Sequence, residues 1–240
     1  MTAVGIIVAL PQEGRSLTRK RLREGLCIPL DHDRLLVVSD TGSEAASRAA
    51  SLLVSAGAQA LISWGCAGGL APELKPGNLV IPTQIVQASG EILPVDPAWA
   101  QRLSERIAQD VRAFQGKLLE TSVIVSAAAE KQRLFELTQA LVIDMESAGI
   151  ARSAAEHNVP FLAVRSVVDP ASTTLPSSIA DSFDNRGRLH LPALLARCLV
   201  SPSHLIDLIQ LGRHFDLAMQ TLVKVDRLTG SDLLCTNSVA

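Results

Sequence analysis

An α/β fold is predicted, with three layers: a central mixed, mostly parallel sheet between two layers of helices. Three features of the sequence carry this. Apolar, β-branched runs of strand length recur along the chain, first at residues 4–10 and last at 161–168. Segments of helical pattern separate them. Polar and acidic residues sit just where several of the runs stop, as in α/β proteins that bind ligands beyond the carboxyl ends of their strands.

The run at 4–10 is continuous rather than alternating, as for a strand covered on both faces. Further strands are expected at 34–39, 59–64, 78–85, 121–125, 141–143 and 161–168. Helices are expected at 44–56, at 97–114 (opened by Pro97, where a missing N–H costs little), at 131–138 and at 147–157. Residues 170–188, rich in Pro, Ser, Thr, Asp and Asn, read as a long surface loop. Helices follow at 191–200 and 203–225. In the second, Leu205, Leu208, Ile209, Leu211, Phe215, Leu222 and Val225 form an apolar stripe. The domain reading is one unit over 1–225, with 191–225 as a C-terminal helical extension and 226–240 as a flexible tail.

At 240 residues and 48% hydrophobic content the chain can bury the core of one such domain. A net charge of -2 gives no bulk attraction to nucleic acid. The four cysteines, Cys27, Cys66, Cys198 and Cys235, are widely spaced and form no zinc or disulfide pattern, so free thiols in a reducing cytoplasm are expected. The apolar start is too short for a membrane span and lacks the pattern of a signal peptide. No metal motif and no dinucleotide fingerprint is present, so no cofactor is expected.

The candidate site residues stand at the ends of the runs. Glu13 follows the first, Asp144, Met145 and Glu146 follow the sixth, and Asp169 follows the last. Gly65, Cys66, Ala67, Gly68 and Gly69 follow the third and read as a glycine turn that lets a ligand approach the backbone. Each has a plainer reading. Glu13 suits the first turn of a helix, Asp144 and Glu146 suit solvated positions at a helix start, and Asp169 before Pro170 suits a turn. Cys66 suits a small buried residue.

The order of these motifs resembles one family. Val4-Gly5-Ile6-Ile7-Val8-Ala9-Leu10-Pro11-Gln12-Glu13 resembles the opening of the methylthioadenosine/S-adenosylhomocysteine nucleosidases. Gly65-Cys66-Ala67-Gly68-Gly69-Leu70 followed by Lys75-Pro76-Gly77-Asn78-Leu79-Val80 resembles their glycine turn and the strand after it. Asp144-Met145-Glu146-Ser147 is similar to their ribose motif. Asn158-Val159-Pro160-Phe161 with Val164-Arg165-Ser166-Val167-Val168-Asp169 is similar to their ending. The apolar helices beyond residue 190, with Gly187-Arg188-Leu189 and the run Asp169 to Pro176, resemble the hopanoid-associated phosphorylase branch of the same superfamily.

The resemblance implies cleavage of the bond between a purine and ribose. It makes Asp169 the acid that protonates the purine, with a raised pKa. Glu146 would hold the ribose hydroxyls, Met145 would pack on the sugar, and Glu13 would orient water. Main-chain groups from Ser126 and Ala127 onward would face the base, with Cys66 and Gly65 beside the substrate. Two departures stand out: Val168 replaces the serine before the acid, and 125–132 lacks an aromatic to stack on the base.

The nucleophile is contested within the sequence. Ser63 stands where phosphorylases place an arginine, and Glu13 adds negative charge, which favours water. Arg15, Arg48 and the branch resemblance favour phosphate as co-substrate. The expectation adopted, on the branch resemblance alone, is phosphorolysis of adenosylhopane in hopanoid biosynthesis. Hydrolysis of that lipid or of methylthioadenosine-like nucleosides is the alternative, and a non-catalytic nucleoside-binding module is the rival of another class. The family further implies a homo-oligomer, a dimer first. The C-terminal helices are either a route to a lipid substrate at the membrane surface or core cover and dimer interface.

Overall fold

Continuous burial explains the strands. In the computed structural model, which describes residues 3–31, 33–174 and 202–230 (side chains from 209 in the last stretch), β1 (Ala3–Val8) is buried at every position after the first. The chain continues through α1 (Pro11–Gly14), β2 (Ile28–Pro29), β3 (Arg34–Val38), α2 (Ser43–Ser55), β4 (Ala58–Gly69), β5 (Leu79–Gln87), β6 (Ile92–Pro94) and α3 (Pro97–Ile107). It then forms β7 (Ala113–Glu120), α4 (Ala128–Thr138), β8 (Ala140–Asp144), α5 (Ser147–Glu156), β9 (Phe161–Asp169) and a last helix, α6 (Pro202–Thr229).

The sheet runs β2-β3-β1-β4-β8-β7-β5-β6, with β9 paired to both β4 and β5. Parallel ladders join β1 to β3 and β4, β4 to β9, and β7 to β5 and β8. Short antiparallel contacts, Gly68 with Ile143 and Leu79 with Ser166, link β4 to β8 and β5 to β9. The strands β4, β8, β7, β5 and β9 therefore close into a ring. Such a ring leaves no free edge in the centre of the sheet and gathers its strand ends around one mouth. Helices α2 and α5 pack on each other and on β4, while α3 and α6 pack together over β5 and β9.

The structure revises several boundaries. The glycine segment 65–69 is not a turn but the continuation of β4, which pairs with β9 as far as Gly68. The helix expected over 97–114 ends at Ile107, and residues 113–120 form β7, paired with β5 from Ala113 to Glu120. Gln115, Gly116 and Lys117 break any apolar run there, so ladder pairing rather than local pattern decides the state. The strand expected at 121–125 is the loop leaving β7, held by Thr121 Oγ1 donating to the Val123 carbonyl at 2.9 Å. Residues 226–229, expected in a flexible tail, complete α6, and Asp226 accepts from Arg34 at 2.7 Å. The helix expected at 191–200, most of the 170–188 loop, Cys198, Cys235 and the tail from 231 lie outside the described residues.

The junction of α2 with α5 is tight enough to test. A Cβ on Gly149 would lie 2.1 Å from the Ser43 carbonyl oxygen, a backbone atom that cannot rotate away. Gly149→Ala should destabilise the fold by about 1–3 kcal/mol. Thermal denaturation should register this as a fall in Tm of several degrees; an unchanged Tm would refute the packing argument.

Candidate active site

The carboxyl ends of β1, β4, β8 and β9 and the loop after β7 surround a cavity of about 280 Å³. Its carboxyl groups are those of Glu13, Asp144, Glu146 and Asp169, with Thr41 and Thr121 also on the wall. Its walls are largely apolar: Met145, Val168 and the segment 123–125, with Leu211 and Phe215 contributed by α6. Leu10 and Val123 line it while remaining exposed, which places an apolar rim at its mouth.

Glu13 is held by backbone N–H groups. Its Oε2 accepts the Ala9 and Leu10 N–H groups, each at 3.0 Å, and its Oε1 accepts that of Cys66 at 2.8 Å. Glycine is needed at 65 because a Cβ there would stand 2.4 Å from Oε1. Burial pushes the Glu13 carboxyl above its ordinary range, against the opposing effect of these N–H groups and of Arg165.

Arg165 lies inside β9 and is buried. Its Nε donates to Asp144 Oδ2 at 2.9 Å and its NH2 donates to Ser63 Oγ at 2.5 Å and Ser147 Oγ at 3.0 Å. Asp144 in turn accepts the Ser147 N–H at the start of α5. Glu146 accepts the Gly42 N–H through Oε1 at 2.9 Å. Burial and the neighbouring Asp144 charge push Glu146 up to about 8. Behind the main cavity, Glu13, Ser63, Cys66, Glu146 and Arg165 surround a void of about 10 Å³. That is about the space one water needs, and the lining offers it both donors and acceptors.

Asp169 occupies another part of the wall. Lys131 of α4, with 0% of its surface exposed, donates to Asp169 Oδ2 at 2.5 Å. Asp169 Oδ1 is buried and has no hydrogen-bond partner among the described residues. Burial raises the Asp169 pKa, while Lys131 and the His214 side chain of α6 pull it down.

The structure thus brings together Glu13, Cys66, Met145, Glu146 and Asp169. Gly65 packs on Glu13 and does not line the cavity. Ser126 and Ala127 do not line it either; Val123, Ile124 and Val125 take that stretch of wall. Arg15 is exposed in a separate basic cleft with Arg19, Lys20 and Arg21. Arg48 is exposed and faces Glu44 at 3.9 Å. It borders a polar cleft of about 820 Å³ that shares Thr41, Thr121 and Met145 with the cavity. The Cys66 thiol is pushed well up by burial and by Glu13, the opposite of a nucleophilic cysteine. Sequence reasoning missed Arg165 and Lys131 as site residues. An arginine inside a mostly apolar strand run was the available sign for the first.

Among the described residues no cluster of three or more His, Cys, Asp or Glu is placed to hold a metal, and no helix is long and apolar enough to cross a membrane. Fold and site define an α/β enzyme of the nucleoside phosphorylase and nucleosidase class. The chain belongs to the Phosphorylase superfamily, whose model matches residues 4–199. A 5'-methylthioadenosine/S-adenosylhomocysteine nucleosidase of Mycobacterium bovis is 25% identical, over 70% of this chain and 86% of its own. Among solved structures, the same kind of nucleosidase from Neisseria meningitidis, in complex with methylthio-immucillin-A, is 18% identical with a TM-score of 0.72. That match covers 97% of this chain and 100% of that one. A futalosine hydrolase of Helicobacter pylori is also 18% identical, with a TM-score of 0.71 over 97% and 98% of the two chains.

Because Glu13, Glu120, Glu146 and Asp169 all have raised pKa values, the folded state binds more protons than the unfolded one. That holds from the unfolded value of 4.5 for a glutamate up towards about 8 for Glu146. Stability should therefore fall as pH rises through this window. Glu146→Gln should make the fall shallower when urea midpoints are compared at pH 5.5 and pH 8; an identical slope would show that Glu146 is not protonated in the folded protein.

Proposed function

We propose that this protein is a purine nucleosidase that uses water to cleave an adenine nucleoside bearing an apolar 5′ substituent. The observation that carries the choice of water is the void bounded by Glu13, Glu146 and Arg165, about 10 Å³ in volume. It has room for a water and far too little for phosphate. Ser63 stands where a phosphate-binding arginine would, and Arg165 is already committed to Asp144. The names of the relatives, a nucleosidase and a hydrolase, agree with this reading.

In this mechanism Asp169 protonates the purine at N7 through Oδ1. The C1′–N9 bonding pair stays with the departing base, and positive charge develops on the ribose. Glu146 hydrogen-bonds the ribose hydroxyls, and Met145 packs against the sugar. Glu13, fixed by three backbone N–H groups, orients the water and takes its proton as oxygen bonds to C1′. The apolar rim of Leu10 and Val123, with Phe215 and Leu211 inside, suits an alkylthio or a lipid group at the 5′ position. Adenosylhopane is the lipid nucleoside to which the sequence resemblance points.

One observation favours phosphorolysis as a second reading: the polar cleft containing Arg48, Gly42 and Ser43 opens beside Met145 and is large enough for phosphate.

Adenine release from adenosylhopane and from methylthioadenosine, each with and without inorganic phosphate, separates the readings. Phosphate-independent release of free ribose product is expected. Release that requires phosphate and yields a ribose 1-phosphate would overturn hydrolysis. Asp169→Asn should lower turnover by ~10²–10⁴-fold, the usual worth of a general acid, while nucleoside binding persists by calorimetry.

A further inference from the structure

Lys131 is the most deeply buried charged side chain near the cavity and has no part in the mechanism above. It sits in the first turn of α4, among residues that face solvent: Gln132 and Arg133 are exposed. Its ammonium is fully coordinated. Besides Asp169 Oδ2 it donates to the carbonyls of Thr173 at 2.9 Å and Pro170 at 3.2 Å. The Ala128 N–H, at the start of the same helix, donates to Thr174 Oγ1 at 3.1 Å. The start of α4 is thus stapled to the segment that follows Asp169.

This arrangement fixes which oxygen of the acid is available. Oδ2 is taken by Lys131, and Oδ1 is left without a partner among the described residues, beside a cavity that Asp169 lines. The residue before the acid is Val168, whose side chain offers no hydrogen bond. A lysine from helix α4 supplies the restraint instead, and it brings a positive charge that a hydroxyl would not.

We propose that Lys131 is a positioning residue for the acid: it holds Asp169 through Oδ2 so that Oδ1 delivers the proton, and it stabilises the carboxylate left behind. The balance is simple. The Oδ1–H bond breaks, the N7–H bond forms, and the negative charge appears on Asp169 beside an ammonium that keeps its own protons. Charge developing next to a fixed opposite charge in a buried site is where such stabilisation is largest. The inference rests on Asp169 being the acid.

The test is Lys131→Met, read by kinetics across pH with Tm recorded alongside. The charged groups facing Asp169 are Lys131 from α4 and His214 from α6; Glu13, Glu146 and Arg165 share the site and are unchanged in the variant. Lys131 favours the carboxylate, so its removal lets Asp169 keep its proton to higher pH. The alkaline limb of kcat/KM should move upward. The kcat should fall by about tenfold or more, part of the ~10²–10⁴ that general acid catalysis supplies, with KM changed little. Lys131→Arg, which keeps the charge, should recover much of the turnover and return the limb to its place. If Lys131→Met does not fold, Lys131→Gln, which keeps donors for the two carbonyls but no charge, takes its place with the same expected limb shift. Full activity, or lost activity with an unmoved limb, would overturn the proposal. If Asp169→Asn retains activity, the acid assignment itself fails; if Asp169→Asn is inactive and the Lys131 variant behaves as the parent, only the role of Lys131 fails.

Discussion

Much of this site depends on a single buried guanidinium. Arg165 ties β9 to the end of β8 through Asp144, to β4 through Ser63 and to the start of α5 through Ser147. Acids from several elements would otherwise crowd one desolvated region, since Glu13 and Glu146 both feel this charge. A buried ion pair is seldom a net gain over apolar packing, but removing one partner costs about 3–5 kcal/mol because the other is stranded. Arg165 is therefore better understood as the condition under which a set of carboxylates can be kept in an apolar enclosure than as a source of stability.

The enclosure has two charged poles. Around Arg165 the protein gathers Glu13, Asp144 and Glu146, each held by backbone N–H donors or by the guanidinium. Around Lys131 it keeps one acid, whose second oxygen has no partner among the described residues. Between the poles the walls are aliphatic, from Met145 to Val168, with Phe215 the aromatic ring among the lining residues. Each pole has its own partner charge, Arg165 for Glu13 and Glu146 and Lys131 for Asp169. Two sets of carboxyl groups can then differ in proton affinity though all are buried, which acid–base chemistry at one pH requires.

The sequence made the acids legible because a polar residue ending an apolar run has few places to go except a strand end. Glu13, Asp144, Glu146 and Asp169 all fall there. Asp144 shows how the plain and the functional readings can both hold: it accepts the N–H at the start of α5, as a helix-start acid should, and also anchors Arg165. Lys131 was not legible, because its neighbours Gln132 and Arg133 are surface residues and only packing against the segment after Asp169 sinks it. The glycines 65–69 were misread as a turn because glycine composition alone does not separate a bend from a strand that must make room for a carboxylate. Strand β7 was missed since its pairing on both sides, with β5 and β8, outweighs its weak local pattern.

The wall that closes the cavity over Leu211 and Phe215 belongs to α6, which no strand ladder includes. That helix is fastened well away from the cavity, through Thr221 to the Gly77 carbonyl, Lys224 to that of Asp110, and Asp226 to Arg34. Its grip and its stretch of cavity wall lie on different turns. Divergence among descendants can therefore proceed on the cavity-facing turn while the anchoring turns and the sheet stay as they are. One scaffold can in this way keep its set of buried carboxyl groups while the shape of the wall beside them changes.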